Sequence, residues 1–234
     1  QSNTWHNLTY AYQGEGGSRV TYLDGRKVAE DQAEDTFGAY PPFAMTGYAQ
    51  GGYVVENTNY SGFADGHGHR LFDNTDGQYQ SASVYVAGIG GGSTPITTAT
   101  DNTTHQGVHI TLTLPYRLKL QSVNFKSHDY FARTPAAGSF LGSNDNVTWD
   151  VIGTFSGIES TSAGQIHTVN ITNYGLGYKY IRLVVTRTSY SVNSSATGGG
   201  GLLEFRRLEY QGHRENDLVR LPDPTNVLKY PHIA

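Results

Sequence analysis

The chain has 234 residues, of which only 15% are charged, and it contains 29 glycines, 17 tyrosines and no cysteine. The absence of cysteine excludes disulfides, thiolate metal sites and a cysteine nucleophile. A net charge of -4 without a basic cluster argues against nucleic acid or an anionic membrane surface as a partner. No apolar stretch is long enough to span a bilayer.

Six Asn-X-Ser/Thr triplets are present, where this composition gives about two or three by chance. The excess favours an exported protein in which some of these asparagines carry glycans, and the alternative is coincidence in a chain rich in threonine. The candidate N-glycosylation sites are Asn7, Asn59, Asn102, Asn146, Asn170 and Asn193.

The first segment predicted to fold is a β-hairpin. Alternating bulky and polar residues from Trp5 to Tyr12 predict one strand, and residues 14–17 form a glycine-rich turn. Residues 19–23 predict a second strand that runs into the turn dipeptide Asp24-Gly25. An acidic connector completes this segment, which spans residues 1–37. An isolated hairpin is marginally stable in water, so residues 1 to about 30 must pack on the main domain, on a neighbour or on a preceding domain. This favours assembly with a neighbouring domain or chain.

A short repeat marks two distant points of the chain. Residues 40–44 read Tyr-Pro-Pro-Phe-Ala, residues 230–234 read Tyr-Pro-His-Ile-Ala, and each follows a polar, acidic connector. The prolines of the first copy begin an extended segment that continues as a strand to Val55. We interpret the match as a period of about 190 residues, so that residues 213–234 enter or imitate a next repeat.

The remaining residues form short apolar and alternating runs separated by turn signals, without a helical apolar period of useful length. This pattern predicts an all-β fold, an antiparallel β-sandwich or jelly roll. The predicted strands span residues 83–87, 108–114, 118–125, 139–142, 149–155, 165–171, 180–188 and 202–210.

Several motifs follow one another in a recognisable order. Residues 69–74 read His-Arg-Leu-Phe-Asp-Asn, residues 118–123 read Leu-Lys-Leu-Gln-Ser-Val, and residues 140–149 read Phe-Leu-Gly-Ser-Asn-Asp-Asn-Val-Thr-Trp. In this order they resemble the discoidin, or galactose-binding-like, domains of the coagulation-factor C-terminal type. The resemblance covers residues 38–212 and implies a discoidin-like jelly roll, and we expect Trp149 to return a large apolar surface to its core.

The N-terminal hairpin carries a second resemblance. Its pattern Trp-His-X-Leu-X-Tyr, followed by Tyr-Leu-Asp-Gly-Arg-Lys-Val, is similar to the closing hairpin of laminin-G or concanavalin-like lectin domains. Tandem modules that resemble both parts occur in long surface or fibre proteins of aquatic microbes and large algal viruses. The resemblance implies an extracellular or virion-surface location.

Galactose-binding relatives use a His, an Arg, an Asn a few residues later and an aromatic platform. Arg133 stands at the position that resembles the Arg, but residues 134–138 contain no Asn and residues 198–201 are all glycine. The alternative role of Arg133 is structural, held by backbone carbonyls or a carboxylate. The loop residues that could contact a glycan are Tyr60, His67, Tyr79, His128, Tyr130, Arg133 and Tyr190.

Metal ions are considered at two places, although no cofactor is required. The discoidin resemblance implies a structural calcium ion after the Phe-Asp segment, with Asp73, Asp76 and Glu204 as candidate ligands because carboxylate oxygens suit this ion. Separately, His67 and His69 stand two positions apart within residues 65–69, either as a zinc or copper pair or in a solvated loop.

No catalytic motif is recognisable. The sequence has no Gly-X-Ser-X-Gly elbow, no His-Glu-X-X-His and no phosphate-binding loop, and Glu30-Asp31 and Glu34-Asp35 fall in a polar connector. We therefore predict a non-enzymatic protein. The leading hypothesis is a structural subunit of an extracellular or virion-surface fibre, assembled with itself head to tail through its terminal segments. The alternative is an adhesin module whose loops bind glycans.

Overall fold

The fold is seen in a computed structural model that describes residues 6–12, 19–31, 37–63, 66–90, 93–172, 177–194 and 199–215. The chain divides into two units, Gln1–Thr36 together with Asn216–Ala234, and Phe37–Glu215. Antiparallel strands make up nearly all of the regular structure, which confirms the predicted all-β class. Among the described residues, no helix is long and apolar enough to cross a membrane.

The first unit contains an antiparallel sheet of order β1-β2-β3, with strands β1 Leu8–Tyr12, β2 Arg19–Leu23 and β3 Arg26–Asp31. Asp24 and Gly25 both have positive φ, as a two-residue hairpin turn requires. The carboxylate of Asp24 also accepts the Asn7 N–H at 2.8 Å. The predicted hairpin is present, but a third strand follows it. The placement of Glu30 and Asp31 in a connector is therefore wrong, because both lie in β3.

Several sequence features lie outside the described residues. These are Trp5, the glycine-rich turn at residues 14–17, Glu34-Asp35 and the second copy of the repeat at residues 230–234. What the sequence predicts for them stays a prediction.

Within its described ranges, the second unit contains strands β4 to β17 and three short 3₁₀ helices, Gly68–Phe72, Phe131–Arg133 and Ser189–Ser191. The strands are β4 Gly38–Tyr40, β5 Ala49–Gln50, β6 Tyr53–Asn57, β7 Gln78–Gln80, β8 Tyr85–Val86, β9 Ile89–Gly90, β10 Ile96–Thr98, β11 Thr104–Gln106, β12 Val108–Ser127, β13 Pro135–Ser143, β14 Asp150–Phe155, β15 Ile166–Asn170, β16 Tyr178–Thr188 and β17 Glu204–Arg214.

The longest strand, β12, belongs to both sheets of a sandwich. Its first half pairs with β6 on one side and β16 on the other, and β13 and β14 continue beyond β16. Its second half pairs with β15 and β17, and β17 also pairs with β4 and β7. The register with β16 shifts between Thr113 and Leu118, around the exposed Pro115, which has no N–H for a ladder bond. The strands predicted for residues 108–114 and 118–125 are thus one strand that passes between the sheets.

The main core lies between these sheets because strand residues alternate between inward and outward positions. β12 contributes Ile110 and Leu112 from its first half and Val123 and Phe125 from its second half, all of them fully or almost fully buried. These four residues join Phe140 of β13 in a single apolar cluster. One continuous core therefore fixes the loops at the ends of the sandwich.

Trp149 does not belong to this core. It packs with Leu141 and Val184 in a separate small cluster, and the guanidinium carbon of Arg182 lies 3.9 Å from its ring centroid. Leu141 and Val184 follow inward residues of β13 and β16, so the alternation places them on the outer face of the sheet. The expectation that Trp149 adds surface to the main core is therefore wrong, although its ring is buried.

Candidate functional site

A buried carboxylate organises one loop end of the sandwich. The Oε2 atom of Glu204 accepts a hydrogen bond from Nη1 of Arg133 at 2.7 Å, and its side chain is only 2% exposed. Its Oε1 atom accepts from Nε2 of Gln78 at 3.3 Å and of Gln80 at 3.1 Å. Pairing of β7 with the start of β17 positions both glutamines. Arg133 is thus held by a carboxylate, the structural alternative that the sequence left open.

His128 and Tyr130 complete this group. Nδ1 of His128 accepts the backbone N–H of Tyr130 at 3.3 Å and lies 3.6 Å from Oε1 of Glu204. Burial lowers the pKa of His128 and outweighs the charge of Glu204, which raises it. Burial therefore disfavours the charged form of this ring.

Tyr130 supplies an exposed aromatic surface. Its side chain is 46% exposed, and the guanidinium carbon of Arg133 lies 4.5 Å from its ring centroid. This cation–π contact fixes the ring next to the Glu204 hydrogen bonds. We call the group the Arg133 site, and it consists of Gln78, Gln80, His128, Tyr130, Arg133 and Glu204.

Tyr190 lies at the same end of the sandwich. The backbone N–H of Ser189 donates to the carbonyl of Thr134 at 2.8 Å, which joins the 3₁₀ helix of Tyr190 to the residue after Arg133. The ring of Tyr190 packs on Gly200, where an added Cβ would lie 2.5 Å from its Cδ1. The absence of a side chain at Gly200 therefore leaves room for the aromatic ring of Tyr190, which comes from another segment of the chain.

A second group of rings lies beside the Arg133 site. His67 stacks between Tyr60 and His69, with centroid distances of 4.9 and 5.5 Å, and its Nδ1 is 3.3 Å from the hydroxyl of Tyr48. His67 and His69 line a cleft of about 470 Å³. The carbonyl of Gly66 accepts the backbone N–H of Gln80 at 3.2 Å, so the segment that precedes His67 lies against Gln80 of the Arg133 site.

His67 and His69 do not lie in a solvated loop, the alternative that the sequence suggested for them. Both are half-buried, His69 lies in the 3₁₀ helix Gly68–Phe72, and burial lowers the pKa of His69. Asp65 lies outside the described residues. In the part of the chain that is described, no group of three or more His, Asp and Glu side chains could hold a metal ion. The zinc or copper pair therefore has no third ligand there.

The prediction that Tyr79 contacts a glycan is wrong. Its side chain is completely buried, and its hydroxyl donates to the carbonyl of Thr58 at 2.5 Å. Because β7 alternates, Tyr79 points into the core while Gln78 and Gln80 face Glu204. The two glutamines are the site residues that the sequence reasoning missed, and the period-two pattern around Tyr79 could have revealed them.

The three candidate calcium ligands do not form a common site. Oδ1 of Asp73 accepts the N–H and hydroxyl of Thr75 at 2.8 and 2.6 Å. Asp76 accepts Nζ of Lys126 at 2.8 and 2.9 Å, whereas Glu204 is bound by Arg133. Among the described residues no three His, Asp or Glu side chains are placed to hold one metal ion, so Asp73, Asp76 and Glu204 are wrong as a common ligand set. A structural calcium ion itself stays a prediction.

Fold and loop-end geometry together define a discoidin-like, galactose-binding-like jelly roll with a polar and aromatic site at one end. No family model and no curated protein matches the sequence. Among solved structures, the F5/8 type C domain of a Bacteroides fragilis protein aligns with a TM-score of 0.51 at 7% identity, covering 77% of this chain and 99% of that chain. This similarity confirms the predicted fold.

Two further solved structures are similar at lower scores. The family 32 carbohydrate-binding module of NanJ from Clostridium perfringens, in complex with galactose, has a TM-score of 0.44 and 9% identity, covering 68% of this chain and 93% of that chain. The C-terminal domain of a chitobiase from Bacteroides fragilis has a TM-score of 0.47 and 16% identity, covering 71% and 97%.

Proposed function

We propose that this chain is a non-enzymatic, extracellular glycan-binding module and that the Arg133 site binds the glycan. The observation that carries the proposal is the exposed ring of Tyr130, fixed beside the hydrogen-bonded pair of Arg133 and Glu204. A sugar presents an apolar C–H face together with hydroxyls, and it is recognised by an aromatic surface next to oriented donors and acceptors. Tyr130 supplies the surface and the surrounding polar groups supply the orientation.

The charges around this site favour a neutral glycan over an acidic one. The two charges of Arg133 and Glu204 compensate each other, as do those of Arg206 and Asp129, whose atoms approach to 3.0 and 3.3 Å. Asp129 is exposed and lies next to Tyr130 in the chain, so it can accept hydrogen bonds from sugar hydroxyls. Paired charges of both signs provide polar groups without a net attraction for anions.

A glycan array followed by calorimetry on the best ligand tests this proposal. Tyr130→Ala removes the exposed ring, and we expect it to weaken binding at least about tenfold, equivalent to about 1.4 kcal/mol. Phe37→Ala is the matched control, because Phe37 is equally exposed at 46%. It precedes β4, whose Gly38 pairs with Gly212 near the end of β17 opposite to Glu204.

Two outcomes would count against glycan recognition at this site. The first is an array on which neither neutral nor acidic glycans bind the wild-type chain. The second is equal affinity of the Tyr130→Ala and Phe37→Ala variants, which would place any binding elsewhere.

Assembly into a fibre is the second candidate function. The order β1-β2-β3 leaves β1 and β3 as the outer strands of the described sheet, and outer strands can pair with strands of another copy. The segment 216–234 is the other candidate element for this contact. Because β17 continues to Arg214, a deletion that tests assembly starts at Asn216. Unchanged filaments after the deletion, or a monomeric intact chain, would reject assembly through this tail.

A further inference from the structure

The sequons at Asn102 and Asn146 occupy exposed turns. Asn102 lies between β10 and β11 with φ 65°, and Asn146 lies between β13 and β14 with φ 61°. Asn tolerates this left-handed conformation better than most residues. Both asparagines and the third residues of their sequons, Thr104 and Thr148, are exposed. Each sequon therefore has solvent on the side where a glycan would extend.

Side-chain hydrogen bonds order both turns. The carboxylate of Asp101 accepts the N–H and hydroxyl of Thr103 at 2.9 and 2.6 Å. Asp145 accepts the hydroxyl and N–H of Thr148 at 2.7 and 2.8 Å and the N–H of Val147 at 2.8 Å. The hydrogen bond from the Thr148 hydroxyl is the main cause that holds the pKa of Asp145 below its usual range. A glycan on either asparagine would leave these bonds intact.

Asn59 has a different environment. Its Nδ2, the atom that would carry a glycan, donates to the carbonyl of Ser93 at 3.1 Å. Its Oδ1 is buried and has no hydrogen-bond partner among the described residues. The backbone carbonyl of Asn59 also accepts the N–H of Ala82 at 2.5 Å. Asn59 is half-buried, and a sugar attached to Nδ2 would have to fit beside the Ser93 carbonyl, so the folded chain disfavours a glycan here compared with the exposed Asn102 and Asn146.

The exposed sequons lie away from the Arg133 site. β13 starts two residues after Arg133, and its nine residues, at about 3.3 Å each, separate that site by about 30 Å from the turn of Asn146. The turn of Asn102 lies at the same far end, because Thr100 donates its N–H to the Trp149 carbonyl at 2.8 Å. Glycans at these two positions would leave the Arg133 site uncovered.

We infer that Asn102 and Asn146 are N-glycosylation sites and that Asn59 carries no glycan in the folded protein. In the reaction, Nδ2 of asparagine loses a proton and forms a bond with C1 of an oligosaccharide. The C1–O bond to a lipid pyrophosphate breaks, and the lipid pyrophosphate leaves. A lipid-linked oligosaccharide and the transferase of a secretory pathway supply this step.

The test uses the full chain secreted from insect or mammalian cells. Peptide-N-glycosidase F in heavy-oxygen water converts each glycosylated Asn to labelled Asp, which peptide mass spectrometry locates. We expect labels at Asn102 and Asn146 and none at Asn59. A label at Asn59 in folded protein, or no label at either of the other two positions, would overturn the assignment.

Glycine variants provide a second measurement. Asn59 has φ 56°, close to the values of Asn102 and Asn146, and glycine adopts all three conformations without strain. Asn102→Gly and Asn146→Gly should each increase gel mobility by one glycan, and Asn59→Gly should leave it unchanged. A mobility change in Asn59→Gly, or none in either of the others, would contradict the assignment independently of the mass spectra.

Discussion

Replacement of Glu204 by Gln removes the charge that holds Arg133 while keeping the shape of the side chain. Glu204 is 2% exposed and Arg133 is 17% exposed, so water replaces only part of the lost interaction. Removing one partner of a buried pair typically costs about 3–5 kcal/mol. The partial exposure of Arg133 reduces this, and we expect Glu204→Gln to lower the free energy of unfolding by about 2–4 kcal/mol.

Urea unfolding followed by tryptophan fluorescence measures this change. Asp76→Asn is the control, because Asp76 also binds an amine, Nζ of Lys126 at 2.8 Å, but is 58% exposed. An exposed pair contributes less than about 1 kcal/mol, so the control should be nearly neutral. Adding Arg133→Met to Glu204→Gln should recover part of the loss, since no unpaired charge then remains. If Glu204→Gln cost no more than the control, the buried pair would not organise this loop end.

Two further predictions concern the sheet that contains the first half of β12. Burial, followed by the charge of Arg182, lowers the pKa of His109 to about 4. The unfolded chain binds a proton near pH 6.5, so the free energy of unfolding should fall by about 2–3 kcal/mol between pH 6.5 and 4. His109→Gln should flatten this dependence in urea titrations, and an unchanged slope would argue against it. At Gly107, an added Cβ would lie 1.9 Å from the carbonyl oxygen of Val185, so Gly107→Ala should cost more than about 2 kcal/mol. At Gly47 an added Cβ would have no atom within 4 Å, so Gly47→Ala should leave the thermal stability unchanged. If both variants lost the same stability, the close contact at Gly107 would be refuted.

The fold was accessible from the sequence because alternation and turn residues are local signals. They predict most of the strands and the discoidin-like class, but they also suggest a break at Pro115. A proline interrupts a ladder only where its N–H is needed, and at Pro115 the strand is changing its partners. Similarly, the large apolar side chain of Trp149 predicts that it is buried, but the sequence around it does not specify which face of the sheet it covers.

The site was only partly predictable, since its contacts join residues far apart in the chain. Loop position identifies Tyr130, and the resemblance to galactose-binding domains identifies Arg133. Glu204 lies 71 residues beyond Arg133, and no local sequence pattern predicts that these two side chains pair. Tyr79 and Tyr130 have the same chemistry, and only the strand alternation around Tyr79 distinguishes a core ring from an exposed one. Charge pairing and burial are tertiary properties, so the calcium ligand set could not be tested before the partners were known.

The shared strand β12 has a consequence for biosynthesis. Residues 108–127 leave the ribosome well before β16 and β17, which supply their partners in the two sheets. The first half of β12 lacks β16 until residue 188 has been made, and the second half lacks β17 until residue 214 has been made. β4 at the start of the unit also pairs with β17. Pairing at such sequence separation makes folding slow and exposes apolar segments to aggregation. We expect the nascent chain to remain incomplete, and dependent on chaperones, for almost the entire time in which this unit is synthesised.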